Sequence, residues 1–375
     1  VRTMNLPTLG MLRFAPGILL VAIALGLVAC GPATPTRPPE SPIVATPAQP
    51  TPIITQPTAV VSVAPTVSPP TATKFAIAVE SPTATRAPNP TASPTTPKPA
   101  VLTGRIAYGV VTGEAPKFHT GWIANADGSG AHQILTHAQW LALSHDGSRV
   151  AYLGRPEGGS AGLYIANSDG STRVLAVNDA GVCCIKWSRD GTWIVYAVSL
   201  KPNQPGGDIF KVKVDGVFKT IVPLGVVGNG PAFSPDGKQV VYSGSLPGRS
   251  TLGLMIVSAD GGTPRQVTTE NGGNADWSPR GDKIVYQAAD DAGHRQLFVV
   301  NPDGSGKKQL TAGKSNDGQP AWSRDGSAIF WRSDQNGTAW AIYVMNADGT
   351  KPRKILDNVP PEPNLWGWES LSVGP

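Results

Sequence analysis

The stretch PAFSPDGKQVVYSGSLPGRSTLGLMIVSADGGTPRQVT (Pro231–Thr268) decides the fold. It holds four short runs with strand character: PAFS (Pro231–Ser234), KQVVYSG (Lys238–Gly244), LMIVSA (Leu254–Ala259) and PRQVT (Pro264–Thr268). PDG joins the first pair and DGG the second. Asp-Gly supplies the positive φ that a tight hairpin needs, and the Asp side chain bonds its own turn. The unit is two hairpins in series, strands A to D, with a longer loop between B and C. Its apolar runs, such as VVY, are nearly continuous, which fits strands covered on both faces.

Working outward, the unit repeats. The C–D turn recurs at Ile123–Gly128, Ile165–Gly170, Lys211–Gly216, Ile256–Gly261, Val299–Gly304 and Val344–Gly349. The A–B turn recurs at Leu143–Gly147, Trp187–Gly191, Phe233–Gly237, Trp277–Gly281 and Trp322–Gly326. Both series have a period of 42 to 46 residues. Five units are complete, over 137–176, 177–222, 223–268, 269–311 and 312–356. A sixth, 104–136, has strands B, C and D but no A. The tail PNLWGWESLS (Pro363–Ser372), through Trp366 and Trp368, is expected to supply that strand against Arg105–Val110. A fixed period of this length with four strands per unit specifies an all-β ring, here a six-bladed β-propeller with four-stranded blades. The C-terminal strand would join the N-terminal blade and remove the open sheet edges.

These WSPDG-type and NADG-type turns, in register over about 104–370, resemble the PD40 (WD40-like) repeat of TolB-type propellers. The resemblance implies the fold and a binding role. Related propellers are also found beside peptidase domains and in oligogalacturonate lyases. Within 101–375 no hydrolase domain or catalytic constellation is recognisable, and the chain reads as a non-enzyme without cofactor or metal.

The remainder of the chain is of another kind. Arg2 and Arg13 precede an apolar run, Phe14–Ala29, ending LVAC (Leu27–Cys30). This is the pattern of an export signal, residues 1–30. LVAC followed by Gly31 resembles a bacterial lipobox, which implies lipidation of Cys30 and a place at the cell envelope, on the periplasmic or extracellular face of a membrane. Residues 31–100 hold 18 of the 37 prolines and 14 threonines. Such a composition cannot build a core and reads as a disordered linker. Extended, it would reach about 200 Å.

Charge separates the parts. Six of the 31 basic residues and two of the 26 acidic ones fall in residues 1–100, leaving 25 against 24 for 101–375. Of the chain's net +5, the leader and linker carry +4, and the ring is almost neutral. Nucleic-acid binding, which needs clustered basic residues on the domain itself, is not expected.

Several patterns look chemical. GGSAG (Gly158–Gly162) matches G-x-S-x-G, but a nucleophile elbow needs a strand before it and a helix after it. Here the motif falls in a B–C loop. The N-x-D-G turns lack the further oxygen ligands of a calcium loop. Cys183 and Cys184 precede strand A of one blade, near the expected channel. They form either a vicinal disulfide or two buried thiols, and the residues leave both open.

The DG turns are short and repetitive and share one face, whereas the D–A and B–C loops on the other face vary. Variation suits recognition. The expected binding face therefore comprises His137, Gln139, Trp140, Asn229, Asn274, Asp276, Asp317, Gln319 and Trp340. The function expected is that of an exported, lipid-anchored, monomeric ring acting as a binding or scaffold module for a protein or an envelope glycan. The competing reading is a carbohydrate lyase or hydrolase, or a glycan-binding protein, with its site at the channel mouth.

Overall fold

The computed structural model describes residues 102–112, 118–156, 159–199, 206–249, 251–334, 339–361 and 371–375. All lie in the second of two compact units, Val1–Pro90 and Thr91–Pro375. Cys30, the Pro- and Thr-rich segment, Trp366 and Trp368 lie outside the described residues.

The turns form as their chemistry requires. Ser144 Oγ donates to Asp146 Oδ1 (2.6 Å), the same oxygen accepts from Ser148 N (3.0 Å), and Ser144 Oγ accepts from Arg149 N (2.9 Å). This net recurs at Ser188 with Asp190, Ser234 with Asp236, and Ser323 with Asp325. In the fifth blade Arg280 stands where the Asp would be. Asp282 takes over, accepting from Ser278 Oγ at 2.7 Å. Gly147, at φ 70°, shows why glycine closes each turn.

Blade 1 contains β1 (Arg105–Thr112), β2 (Phe118–Asn125) and β3 (His132–Thr136). Blade 2 follows with β4 (Ala138–Leu143), β5 (Arg149–Gly154), β6 (Gly162–Asn167) and β7 (Val174–Val177). Blade 3 has β8 (Val182–Trp187), β9 (Trp193–Val198), β10 (Gly207–Lys213) and the first half of β11 (Ile221–Phe233). The second half of β11 opens blade 4, with β12 (Gln239–Gly244), β13 (Gly253–Ser258) and β14 (Arg265–Gln266). Blade 5 has β15 (Gly272–Trp277), β16 (Ile284–Ala289), β17 (Arg295–Val300) and β18 (Lys308–Gln309). Blade 6 has β19 (Asp317–Trp322), β20 (Ala328–Ser333), β21 (Ala341–Asn346) and β22 (Arg353–Leu356). Last comes β23 (Ser372–Gly374), which pairs with β1. Because β11 serves two blades, the 23 strands of the described residues make six four-stranded units.

One expectation is refined and one corrected. Among the described residues, the C-terminal strand that closes blade 1 is Ser372–Gly374, paired with Arg105–Ala107; the expected pairing of Trp366 and Trp368 lies outside them. Small residues are needed in this closing strand, because a Cβ on Gly374 would come within 2.5 Å of Leu143 Cδ2. Ser372 Oγ accepts from Leu143 N at 2.9 Å, which ties the closing strand to blade 2 as well. The break between the units at Val222 and Pro223 is absent, since β11 runs through as one strand and joins blades 3 and 4 into a seven-stranded sheet. Gly228 pairs with Gly207 on one side and Gly244 on the other. A side chain there would meet Ser243 O at 2.3 Å and Tyr242 Cδ2 at 2.5 Å.

The core consists of the spaces between blades. Six buried clusters each draw on two adjacent blades, and one of them joins Ile106 and Tyr108 of blade 1 to Phe330 and Ile342 of blade 6. Six blades with six interfaces form a closed ring; an open one would have five. Strand B supplies side chains to both faces, as in Val285 and Tyr286, each fully buried. Aromatic pairs bridge B to C, with Tyr152 on Tyr164 at 5.8 Å and Trp331 on Tyr343 at 5.4 Å between ring centroids.

Candidate functional site at the channel

Every A strand among β4, β8, β11, β15 and β19 carries a bulge at the same place, between Gln139/Ala142, Cys183/Lys186, Asn229/Ala232, Gly273/Asp276 and Gly318/Ala321. The first bulged residue is left-handed in each: Trp140 (φ 50°), Cys184 (59°), Gly230 (56°), Asn274 (47°) and Gln319 (55°). A bulge inserts one residue and re-aims side chains. The left-handed conformation costs a non-glycine residue about 1–2 kcal/mol. Four of the five positions bear that cost, and Cys184, Gly230, Asn274 and Gln319 line a neck of the channel.

The neck, at the D–A end, has room for only about 10 Å³, roughly one water. Beyond it, toward the A–B turns, the channel widens into a cavity of about 130 Å³. A groove of about 460 Å³ between blades 3 and 4 shares Ser188 and Phe233 with that cavity. Both recesses adjoin the DG turns.

Between neck and cavity lies a waist drawn from one column of the repeat, two residues before each turn serine: Ala142, Lys186, Ala232, Asp276 and Ala321, all but Ala232 lining the cavity. Three of these are alanine. Lys186 Nζ lies 3.7 Å from Asp276 Oδ1, joining blade 3 to blade 5, and 3.4 Å from Leu371 O. Asp276 Oδ2 also accepts from Trp322 N at 2.8 Å. Burial pushes the Asp276 carboxyl above the usual carboxylate range, against the opposing pull of Lys186. Charge at the waist is therefore paired within the protein.

The mouth of the cavity bears the second residue of each S-x-D-G turn, namely His145, Arg189, Pro235 and Arg324, with Pro279 in blade 5. Arg189 Nη1 donates to Pro279 O at 2.7 Å, so its guanidinium reaches from blade 3 to blade 5. Burial first, then Arg324 and Arg189, lower the His145 imidazole to about 4. The turn carboxylates point back into their own turns, where the serine hydroxyl and a backbone N–H hold them.

Of the residues singled out from the sequence, Asn274, Gln319 and Asp276 come together in the channel wall, next to Cys184. Gln319 is buried, and its N–H donates to Gln287 Oε1 at 2.8 Å. Trp140 packs against the clusters on both sides of blade 3. Asn229 serves the backbone, with its amide oxygen toward Gly206 N (3.0 Å) and its nitrogen toward Gly228 O (3.2 Å). Asp317 is buried and accepts a hydrogen bond from Ser333 Oγ; burial raises its carboxyl. His137 is exposed, and its carbonyl accepts from Arg155 N at 3.3 Å. Gln139 pairs with Leu153 in the sheet, and Trp340 O accepts from Val359 N. Cys183 and Cys184 are buried free thiols with their sulfurs 3.0 Å apart.

Sequence reasoning missed His145, Lys186, Arg189 and Arg324. Aligning the units on the turn serine would have exposed them, because one lysine and one aspartate interrupt a column of alanines.

A closed ring of six four-stranded blades around a channel of this kind places the protein among the β-propellers. The family model described as the TolB beta propeller domain, PD40, matches residues 94–293 and 274–360, and the chain belongs to that family. The Protein TolB homolog of Chlorobium luteolum is 32% identical over 170 residues, covering 44% of this chain and 37% of that one. Among solved structures, TolB from Acinetobacter baumannii is similar with a TM-score of 0.61 and 17% identity, over 73% of this chain and 67% of that one. A putative TolB from Agrobacterium tumefaciens gives 0.53 and 16%, over 72% and 98%. The chain spans half or less of the length of the curated relatives it matches.

Proposed function

We propose that this protein is a non-catalytic binding module of the cell envelope, a rigid ring that holds a partner protein at the turn end of its channel. One observation carries the reading. Five A–B turns share their position in the repeat, yet the side chains they present to the mouth differ in kind: His145, a pair of arginines (Arg189 and Arg324) and a pair of prolines (Pro235 and Pro279). A repeated frame with divergent displayed residues is how a scaffold acquires specificity. The carboxylates support the same reading. Asp276 is engaged by Lys186 and by Trp322 N, Asp317 by Ser333, and His137 stands apart on the surface. Proton transfer needs such groups within reach of one substrate. The LVAC pattern supports attachment to a membrane through lipid on Cys30, with residues 31–100 as the tether.

The test uses the full-length protein, cross-linked to its partner in envelope extract and followed by hydrogen exchange. Protection is expected at the A–B turns, around Ser144–Arg149, Ser188–Trp193 and Ser323–Ala328. Protection confined to the D–A and B–C loops would overturn the reading. Turnover of an envelope glycan or peptide that is abolished by Asp276→Asn would do so too.

A further inference from the structure

We propose that the turn-end mouth of the channel is a binding site for a small oxyanion, a carboxylate or phosphate group, held between Arg189 and Arg324 beside His145. The inference rests on the reading of the turn end as the recognition surface and adds the chemistry recognised there.

Ring order supplies the geometry. Arg189 belongs to blade 3 and Arg324 to blade 6, and blades three apart in a ring of six stand opposite one another. Both occupy the same turn position, so the two guanidiniums approach the mouth from opposite sides. The bond from Arg189 Nη1 to Pro279 O fixes one of them over the cavity. Among the described residues, neither arginine has a carboxylate within ion-pair distance. A guanidinium presents parallel N–H donors that match both oxygens of a carboxylate or phosphate.

The surroundings suit an anion and little else. The acids nearest the mouth are already committed: Asp190 to Ser188 Oγ and Thr192 N, Asp325 to Ser323 Oγ and Ser327 N, and Asp276 to Lys186. Pro235 and Pro279 form wall without adding an N–H donor or a charge. The volume of about 130 Å³ is more than ten times that of the neck and is enough for one phosphate or carboxylate group. The field is a matter of placement, since residues 101–375 carry 25 basic against 24 acidic side chains. Burial is the main cause of the depressed His145 imidazole, and Arg324 and Arg189 add to it, which places both guanidiniums close to its ring.

The experiment titrates the full-length protein in detergent with inorganic phosphate and, separately, with citrate, at constant ionic strength against sodium chloride. The His145 ring resonances are followed by NMR. A saturable shift with either anion supports the site, and the tighter of the two names the group. Arg189→Gln and Arg324→Gln are each expected to weaken binding about tenfold or more, the effect of losing one charged hydrogen bond. Arg280→Gln removes the same charge one blade away from a side chain 3.4 Å from Asp282, and is expected to change nothing. Neither anion exceeding chloride would overturn the proposal. Equal weakening by Arg280→Gln would also overturn it, since only general charge would then be at work. If no anion binds while a partner still protects the A–B turns, the anion site falls and the binding platform stands.

Discussion

His145 is where the electrostatics of the mouth can be measured. Burial, Arg324 and Arg189 push its imidazole down from the usual 6.5 to about 4, while Asp146 pulls weakly the other way. The expected titration midpoint in the folded protein is near 4, and Arg324→Gln should raise it toward 6.5. Between these values the unfolded chain binds the proton and the folded one does not. This contribution to stability is therefore whole above 6.5 and lost as pH falls toward 4. A wild-type midpoint at 6.5, read by NMR, would contradict the positive field described for the mouth. The residue was legible as a position but not as a site. Ser, Asp and Gly of S-x-D-G are dictated by the turn, so the repeated letters drew the reading toward scaffolding and x was passed over. The left-handed residues Trp140, Cys184, Asn274 and Gln319 were not legible at all, because all five complete units carry the same extra residue and none betrays it by its length.

At the scale of the element, β23 and β11 depart most from the repeat. β23 is only three residues long, yet it occupies the edge of blade 1 and reaches Leu143 N of blade 2 through Ser372 Oγ. Ser372→Ala should cost about 1–3 kcal/mol, the cost of leaving a buried N–H unsatisfied. Removing Ser372–Pro375 should cost more, since Arg105–Ala107 would lose its partner strand. Thermal unfolding followed by circular dichroism measures both, and an unchanged curve for the deletion would show that closure does not hold the ring. That a C-terminal strand closes the ring was legible from arithmetic: three strands at one end and a spare tail at the other. Its identity was not. The three residues Ser372–Gly374 carry no apolar run to mark them as a strand, and Gly374 stands where a Cβ would press on Leu143. The continuity of β11 was hidden by Gly225, Gly228 and Gly230, which read as loop but serve close backbone approach and positive φ.

For the whole molecule, period and blade count were legible because both follow from turn chemistry repeated in register. The wider end of the channel was not, since cavity width depends on which strand-A side chains are alanine. Six interfaces distribute the core evenly, so each blade is held on two sides. The membrane attachment proposed for Cys30 has a direct check. The wild-type protein should fractionate with membranes and show a lipid-modified N-terminal cysteine by mass spectrometry, while Cys30→Ser should not. Two acyl chains are enough for stable anchoring, whereas one is marginal. Identical fractionation of the two proteins would exclude Cys30 as the anchor.

The shared strand β11 has a mechanical consequence. Five of the junctions around the ring are packed joints between separate sheets, and one, between blades 3 and 4, is a single hydrogen-bonded plate. The shared hydrogen bonds are expected to resist shear between blades 3 and 4 more than packing alone does. Arg189 stands on that plate and Arg324 on the far side of the ring. The plate therefore acts as the fixed jaw of a caliper, against which the position of Arg324 is set by packing alone.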